Sequence, residues 1–285
     1  MTPAARATAP VFIVGGPRSG TTWLFHLLLS SGGFAADDGG DVPGHRDQPR
    51  RVDCSRENLL RVEAIKASEP NALFLHIVRD GRDVACSLAR HEARQKRGSS
   101  DASAAVLNAA LYWEWMLGEG RQQIRRVGAQ ALEIHFEELV ADPRATLKVI
   151  GAFLTHELDY DSIRERGIGV IGEPNTAFVD DSAVFKPVGR WQRQLSIGRL
   201  ARVESAVGSL LEELGYPLYT DSLARRLVSR NVLLRRSVAR RAFSVWHWFR
   251  THPPFDGSWT RQPVTGHGAH DDPVRCTPAS SEHTV

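Results

Sequence analysis

The stretch from residue 10 to residue 30 constrains the fold of this chain more than any other part of the sequence. It begins with an apolar, β-branched run, Val-Phe-Ile-Val at residues 11–14, followed at once by Gly15 and Gly16. Such a run is typical of a buried strand in a parallel sheet. Leucines then recur at helical spacing, at positions 24, 27, 28 and 29. Strand, glycine loop and helix in this order predict a phosphate cradle, because loop amides and a helix N-terminus attract anions.

The loop departs from the common nucleotide-binding motif, which is Gly, four residues, Gly, Lys and then Ser or Thr. Gly15 and Gly20 have the required spacing, but Thr21 stands where the lysine belongs, and the cation of the loop is Arg18. Such a loop can bind a phosphate but lacks the charge that usually serves a triphosphate. A kinase or NTPase is therefore the less favoured enzyme class, and the sequence has no clear magnesium-binding aspartate after an apolar strand.

The composition is that of one large α/β domain with a basic C-terminal segment. The chain has 285 residues, with 36 basic and 33 acidic side chains. Residues 221–250 hold eight arginines and one acid, so the remaining residues carry a net charge of −4. The positive excess is confined to one segment, which argues against a nucleic-acid-binding surface. Three cysteines without metal-type spacing, and the lack of an apolar signal segment at residues 1–9, predict no metal centre and a cytoplasmic location.

Residues 17–23, Pro-Arg-Ser-Gly-Thr-Thr-Trp, resemble the 5′-phosphosulfate loop of sulfotransferases that use 3′-phosphoadenosine 5′-phosphosulfate (PAPS). The resemblance implies that Arg18 takes the place of the family's loop lysine. The residues that it implies as ligands of the 5′-phosphosulfate are Ser19, Gly20, Thr21 and Thr22. It further implies that Trp23 stacks on adenine, although a tryptophan at a helix start is also compatible with core packing.

Two further segments resemble the same family. An apolar run at residues 72–78 predicts a second buried strand, and Arg79 follows at its carboxyl end, where open α/β sheets bind ligands. Ser87 comes eight residues later, as in the family's 3′-phosphate site, where an arginine fork and a serine hydroxyl suit a phosphate. Residues 185–191 resemble the family's clamp over that phosphate, which implies binding roles for Arg190 and Lys186.

The general base is the least determined part of the predicted site. A hydroxyl acceptor needs a histidine or carboxylate near the sulfur. The family's Lys-Thr-Pro-like stretch is missing, and Cys-Ser-Arg-Glu-Asn occupies residues 54–58 in its place. His45 and Glu57 are the preferred candidates, and Arg18 is the predicted catalytic cation. The other acids in this part of the chain, which stay open as candidates, are Asp37, Asp38 and Asp41.

The predicted fold is α/β: a three-layer, P-loop-like sulfotransferase fold with a parallel sheet between helices. A third strand is predicted at residues 131–136 and helices at 59–68, 108–124, 144–154 and 200–214. Residues 32–51 and 160–181 are predicted to be loops. The expected divisions are a disordered start at 1–9, a sulfotransferase domain at 10–220, a basic amphipathic helical extension at 221–250 and a disordered tail at 251–285.

The expected activity is transfer of a sulfuryl group from PAPS to a hydroxyl of a carbohydrate, glycolipid or small metabolite, without a metal. A degenerate, non-catalytic nucleotide-binding or membrane-associated protein stays open as an alternative. Residues 222–250 lie outside the resemblance and predict an amphipathic helix, which suits either an anionic membrane surface or packing on the domain or a partner. The predicted apolar stripe of this helix is Leu223, Leu227, Leu234, Val238, Ala242, Val245 and Phe249.

Overall fold

The computed structural model describes residues 1–37, 49–95, 102–166 and 187–251. Its centre is a five-stranded sheet in which every neighbouring pair of strands is parallel. The strands are β1 (Val11–Gly15), β2 (Phe34–Ala36), β3 (Arg50–Asp53), β4 (Leu73–Val78) and β5 (Ala131–His135). Their order across the sheet is β2-β3-β1-β4-β5. Since all strands run the same way, the loops after β1, β3, β4 and β5 meet at one edge, which is the carboxyl edge of the sheet.

Helices cover both faces of this sheet. In chain order they are α1 (Pro3–Thr8), α2 (Thr21–Ser31), α3 (Val62–Ser68), α4 (Gly81–Gln95), α5 (Ala102–Val127), α6 (Phe136–Ala141), α7 (Pro143–Leu154), α8 (Tyr160–Glu165), α9 (Trp191–Gln194), α10 (Ile197–Glu213) and α11 (Ser222–Thr251). Short 3₁₀ helices lie at Arg56–Leu60 and Gly128–Gln130.

The core has two halves, one on each face of the sheet. Side chains alternate along β1, so that Phe12 and Val14 join the cluster formed with α3, α4, α5 and α10. Val11 and Ile13 join the opposite cluster, which is formed with α2, α6 and α7. The predicted three-layer α/β fold is therefore confirmed, together with the predicted strands at β1, β4 and β5.

The prediction of a loop at residues 32–51 was wrong at residues 34–36 and 50–51, which form β2 and the start of β3, while residues 38–48 lie outside the described residues. The sequence disguises β3, since a buried strand rarely carries two arginines. Arg50 is nevertheless buried, because its guanidinium donates to three backbone carbonyls. The acceptors are the oxygens of Ala9, Arg6 at 2.8 Å and Leu154 at 2.9 Å. Burial, and then the nearby charge of Arg6, lower the pKa of Arg50 to about 10.

Two further expectations about irregular segments were also wrong. Residues 1–9 are not disordered, because they form α1, whose Arg6 Nη1 donates to the Phe153 carbonyl at 3.0 Å. Residues 160–165 form α8, which is capped by the carboxylate of Asp159. The rest of the predicted loop, from 167 onwards, lies outside the described residues, and so does the predicted tail from 252.

The C-terminal extension is a 30-residue helix, and one face of it packs on the domain. Val232 is buried in the core cluster, and the Phe243 ring lies 5.3 Å from that of Tyr112 and 5.6 Å from that of Trp115. Glu114 of α5 accepts hydrogen bonds from Arg236 and Arg240, at 2.7 and 3.2 Å. The helix is therefore attached along much of its length to α5 and α10.

Candidate active site

The loop between β1 and α2 adopts a conformation that its glycine requires. Gly20 has φ of +99°, which favours glycine over other residues. A Cβ atom at this position would also lie 2.4 Å from Cδ2 of Phe136, at the start of α6. The loop closes through a hydrogen bond of 3.1 Å from the Ser19 amide to the Gly16 carbonyl. Glycine thus lets the loop pass directly over the aromatic ring and deliver the chain into α2.

The start of α2 offers hydrogen-bond donors without a protein side chain to receive them. The helix is 11 residues long, and no side-chain hydrogen bond caps its N-terminus. The first amides of any helix lack intrahelical acceptors, and the helix dipole adds a partial positive charge there. The hydroxyl of Ser19 is buried and has no hydrogen-bond partner among the described residues. The loop and helix start therefore have the donors that a phosphate-type anion would accept.

The two predicted phosphate sites are joined through Arg18. Its Nε donates to the hydroxyl of Ser87 on α4, at 3.1 Å. Its carbonyl oxygen accepts from Nη1 of Arg79, at the end of β4, at 2.9 Å. Arg79 also donates from Nη2 to the Pro187 carbonyl at 2.5 Å, and its guanidinium lies 4.3 Å from the centre of the Phe136 ring. Residues separated by 69 positions in the sequence therefore form one continuous cationic site.

The electrostatics of this site show an excess of positive charge. Burial, and then repulsion from Arg79, Arg56 and Arg190, lower the pKa of Arg18. Burial also lowers the pKa of Arg79, although the carboxylates of Asp83 and Glu137 partly oppose it. Nε of Arg79 is buried and has no hydrogen-bond partner among the described residues. Arginines held together in this way are stabilised by a multivalent anion.

Arg56 is the site residue that the sequence interpretation missed. It begins the 3₁₀ helix that follows β3, and its charge reaches Arg18 from the neighbouring strand. Asp53 holds this turn, since its carboxylate accepts from the Ser55 amide at 2.7 Å and from the Asn58 side chain at 2.9 Å. The available signal was the position of residues 54–58, where the resembled family has a lysine.

Two carboxylates hold the backbone that surrounds the cationic site. Asp83, in the first turn of α4, accepts from the amides of Gly189 and Trp191 at 2.7 and 2.9 Å, which fixes the segment that carries Arg190. Glu137 accepts from the Asp80 amide at 2.9 Å. The charges of Asp83 and Glu137 also act on Arg79, since both oppose the lowering of its pKa by burial.

A second, buried network is centred on Arg82, which is next to Asp83 in the first turn of α4. Arg82 pairs with Asp80 and with Glu204 of α10, each at 2.8 Å, and its guanidinium lies 4.1 Å from the centre of the Trp191 ring. Burial alone would lower the pKa of Arg82, but the hydrogen bonds and charges of the two carboxylates raise it. Glu204 also accepts from Thr220, which ties the root of α11 to this network.

The remaining predicted site residues fall into four groups. Thr21 and Thr22 are half-buried in the first turn of α2, next to the donors of the loop. Trp23 is only 6% exposed and its ring meets that of Phe136 edge-on at 6.0 Å, as the core-packing alternative expects, so adenine stacking stays a prediction. Glu57 is exposed in the same 3₁₀ turn as Arg56. His45 and Lys186 lie outside the described residues, as do Asp38 and Asp41.

Fold and site together define an α/β protein whose arginines and free donors at the carboxyl edge of a parallel sheet suit a phosphate-type anion. Comparison with known proteins makes this class specific. A sulfotransferase family model matches residues 39–161, a range that contains β3, Arg79 and Ser87 but not the loop after β1. This match shows that residues 39–161 are similar to sulfotransferases. A comparison with curated proteins finds no significant match.

The solved structures agree in fold. The mouse sulfotransferase SULT7A1 complexed with PAP superposes with a TM-score of 0.53 at 18% identity, over 78% of this chain and 88% of the mouse chain. The sulfotransferase domain of the Synechococcus PCC 7002 olefin synthase gives a TM-score of 0.49 at 18% identity, over 74% of this chain and 96% of that domain. A sulfotransferase from Alicyclobacillus acidocaldarius gives 0.47 at 18% identity, over 74% and 97% of the two chains. The likeness to the mouse structure, at 18% identity, shows the fold alone.

No described helix combines the length and apolar character that crossing a bilayer requires. No group of three or more histidine, cysteine or acidic side chains in the described ranges is arranged to hold a metal ion.

Proposed function

We propose that this chain transfers a sulfuryl group from PAPS to an acceptor hydroxyl, with the cationic site at the carboxyl edge as the donor site. The observation that carries the proposal is the direct link between Arg18, Ser87 and Arg79. It joins a glycine-rich loop at a helix start to an arginine and a serine on the next strand and helix. A ligand with phosphate groups at both ends of a nucleoside suits two anion sites joined in this way.

The residues of the described site fit such a ligand in number and kind. PAPS carries about four negative charges near neutral pH, and the side chains that surround the site bring four arginines. Two buried polar atoms without protein partners, Ser19 Oγ and Arg79 Nε, are donors that a bound anion would satisfy. Arg79 and Ser87 would hold the 3′-phosphate, and the loop amides with Thr21 and Thr22 would hold the 5′-phosphosulfate. Lys186 is proposed as a further ligand from the sequence alone.

When bound, PAPS would supply the sulfuryl group, and the acceptor oxygen would attack the sulfur as the 5′-phosphate leaves. Arg18 and Arg56 are the cations best placed to stabilise negative charge that grows on the oxygens during transfer, and such preorganised charge lowers the barrier. Glu57, one residue from Arg56, is the proposed base that takes the hydroxyl proton, with His45 as the alternative. The acceptor is proposed to be a carbohydrate, glycolipid or small hydroxylated metabolite.

Calorimetric titration in EDTA tests the donor assignment. We expect adenosine 3′,5′-bisphosphate to bind at least about ten-fold more tightly than adenosine 5′-monophosphate, because only the first engages Arg79 and Ser87 through a 3′-phosphate. ATP should bind weakly without magnesium. A preference for ATP with magnesium would overturn the proposal in favour of a kinase or NTPase. Equal binding of the two adenosine phosphates would remove the 3′-phosphate assignment.

A transfer assay with PAPS and a model phenol tests the base. Glu57→Gln should keep the affinity for the bisphosphate and lose about 100-fold or more in kcat. His45→Asn serves as the matched variant, because only the true base should show this separation of kcat from affinity. Tight bisphosphate binding without turnover of a wide acceptor panel would favour the degenerate, non-catalytic alternative.

A further inference from the structure

The two faces of α11 differ in what covers them. The face that contains Val232, Arg236 and Phe243 packs on α5, as described above. The opposite face points to solvent. It carries the residues that we call the exposed stripe, namely Leu223, Leu234, Val238, Ala242 and Val245. The packing of α11 on the domain therefore leaves these five residues of the predicted apolar stripe outward.

The exposure of this stripe is large for apolar side chains. Leu223 is 65% exposed, Leu234 66%, Val238 61% and Val245 53%. Scattered exposed apolar residues are common on soluble proteins, but a row at helical spacing is not. Because the other face of the helix is anchored by ion pairs and ring contacts, the helix cannot simply turn over to bury the row.

The charge around the stripe has one sign only. Residues 222–251 contain eight arginines and no acidic residue. Arg235 and Arg241 are exposed: by helical periodicity Arg235 lies about 20° beyond one edge of the stripe, and Arg241 lies level with its other edge. A helix of 30 residues is about 45 Å long, which gives a long, flat, cationic and apolar surface.

We propose that the exposed stripe of α11 docks the protein on an anionic membrane surface, with the helix lying in the plane of the headgroups. An apolar face with flanking arginines has the chemistry that such a surface selects. A second copy of the chain is a poorer occupant, because pairing this helix with itself would bring arginines against arginines. The proposal does not depend on the reaction at the sheet edge.

Sedimentation of the full-length protein with vesicles tests this proposal. The vesicles contain phosphatidylcholine alone or with about one third phosphatidylglycerol. We expect binding to the anionic vesicles, little binding to the neutral ones, and weakening as salt is added. The variant Leu234→Glu/Val238→Glu should lower the partition coefficient about ten-fold or more, since it puts charge into the buried face of an interfacial helix.

The matched control is Val149→Glu/Ile197→Glu, which replaces apolar residues that are 57% and 70% exposed elsewhere on the surface. It makes the same change in charge, so it should bind vesicles nearly as well as the wild type. Absence of vesicle binding by the wild type would overturn the proposal, and so would equal losses in the two variants. Light scattering could also refute the proposal. It would do so if the wild type were a dimer, if Leu234→Glu/Val238→Glu were a monomer, and if neither protein bound vesicles.

Discussion

Neutralising Arg18 should have opposite effects on the free protein and on its complex with an anion. In the free protein the Arg18 charge is partly buried and is repelled by three other arginines, so its pKa is lowered. Its charge therefore opposes folding. Arg18→Gln removes that repulsion, while the amide can still donate to Ser87. The cost of this substitution in folding free energy is at most the difference between the arginine and glutamine hydrogen bonds to Ser87, about 1 kcal/mol. We expect the free energy of unfolding to stay equal or to rise.

The complex should respond in the other direction. A charge-assisted hydrogen bond contributes about 1.5–3 kcal/mol, so the Kd for adenosine 3′,5′-bisphosphate should rise about 10- to 150-fold. Urea unfolding and calorimetry measure the two effects on the same preparations. Arg144→Gln is the control, because Arg144 pairs with Asp161 at the surface and should change stability slightly and affinity not at all. A less stable Arg18→Gln protein with unchanged affinity would refute the reasoning.

Three further predictions concern single residues. Ser87→Ala should weaken bisphosphate binding about ten-fold or more by calorimetry, through loss of a hydrogen bond to the charged 3′-phosphate, and unchanged affinity would contradict this. Gly20→Ala should lower the free energy of unfolding in urea by about 1–3 kcal/mol, from its positive φ and the Phe136 contact, and wild-type stability would count against it. Partial burial would raise the pKa of Glu133, but hydrogen bonds from His76 and Arg121 lower it to about 2. The stability that the ionised Glu133 adds to the fold is therefore present above about pH 5 and is lost as the pH falls toward 2. Glu133→Gln should flatten that acid dependence, and an identical pH profile would disprove this.

The strands at the centre of the sheet were predictable because their neighbours on both faces are apolar. Residues 11–14 and 72–78 are uninterrupted hydrophobic runs, and parallel strands covered on both sides require such runs. β2, at one edge of the sheet, and its inner neighbour β3 lack such runs. β2 is only three residues long and β3 carries Arg50 and Arg51, so neither has the composition that a strand prediction uses.

The site was predictable where a local motif supplied it. Arg18, Arg79 and Ser87 stand in segments whose residue order itself indicates anion binding. Arg56 was not predictable in this way, because its proximity to Arg18 results from the pairing of β3 with β1, which no short motif encodes. The same applies to α11: the helical pattern predicts an apolar stripe, but only the contacts of Glu114 with Arg236 decide that the other face packs inward.

The three carbonyls around Arg50 have a practical consequence for anyone who produces this protein. Composition suggests that the first nine residues can be removed, but two of the three acceptors, Arg6 and Ala9, belong to them. A chain that begins at residue 10 would leave the guanidinium with the Leu154 carbonyl alone. Each lost acceptor of a buried charged group costs about 1–3 kcal/mol, a large share of the stability of an ordinary domain. Low yield or aggregation of such a shortened chain would therefore result from a buried guanidinium that has lost two of its acceptors. Keeping the first helix would avoid this loss.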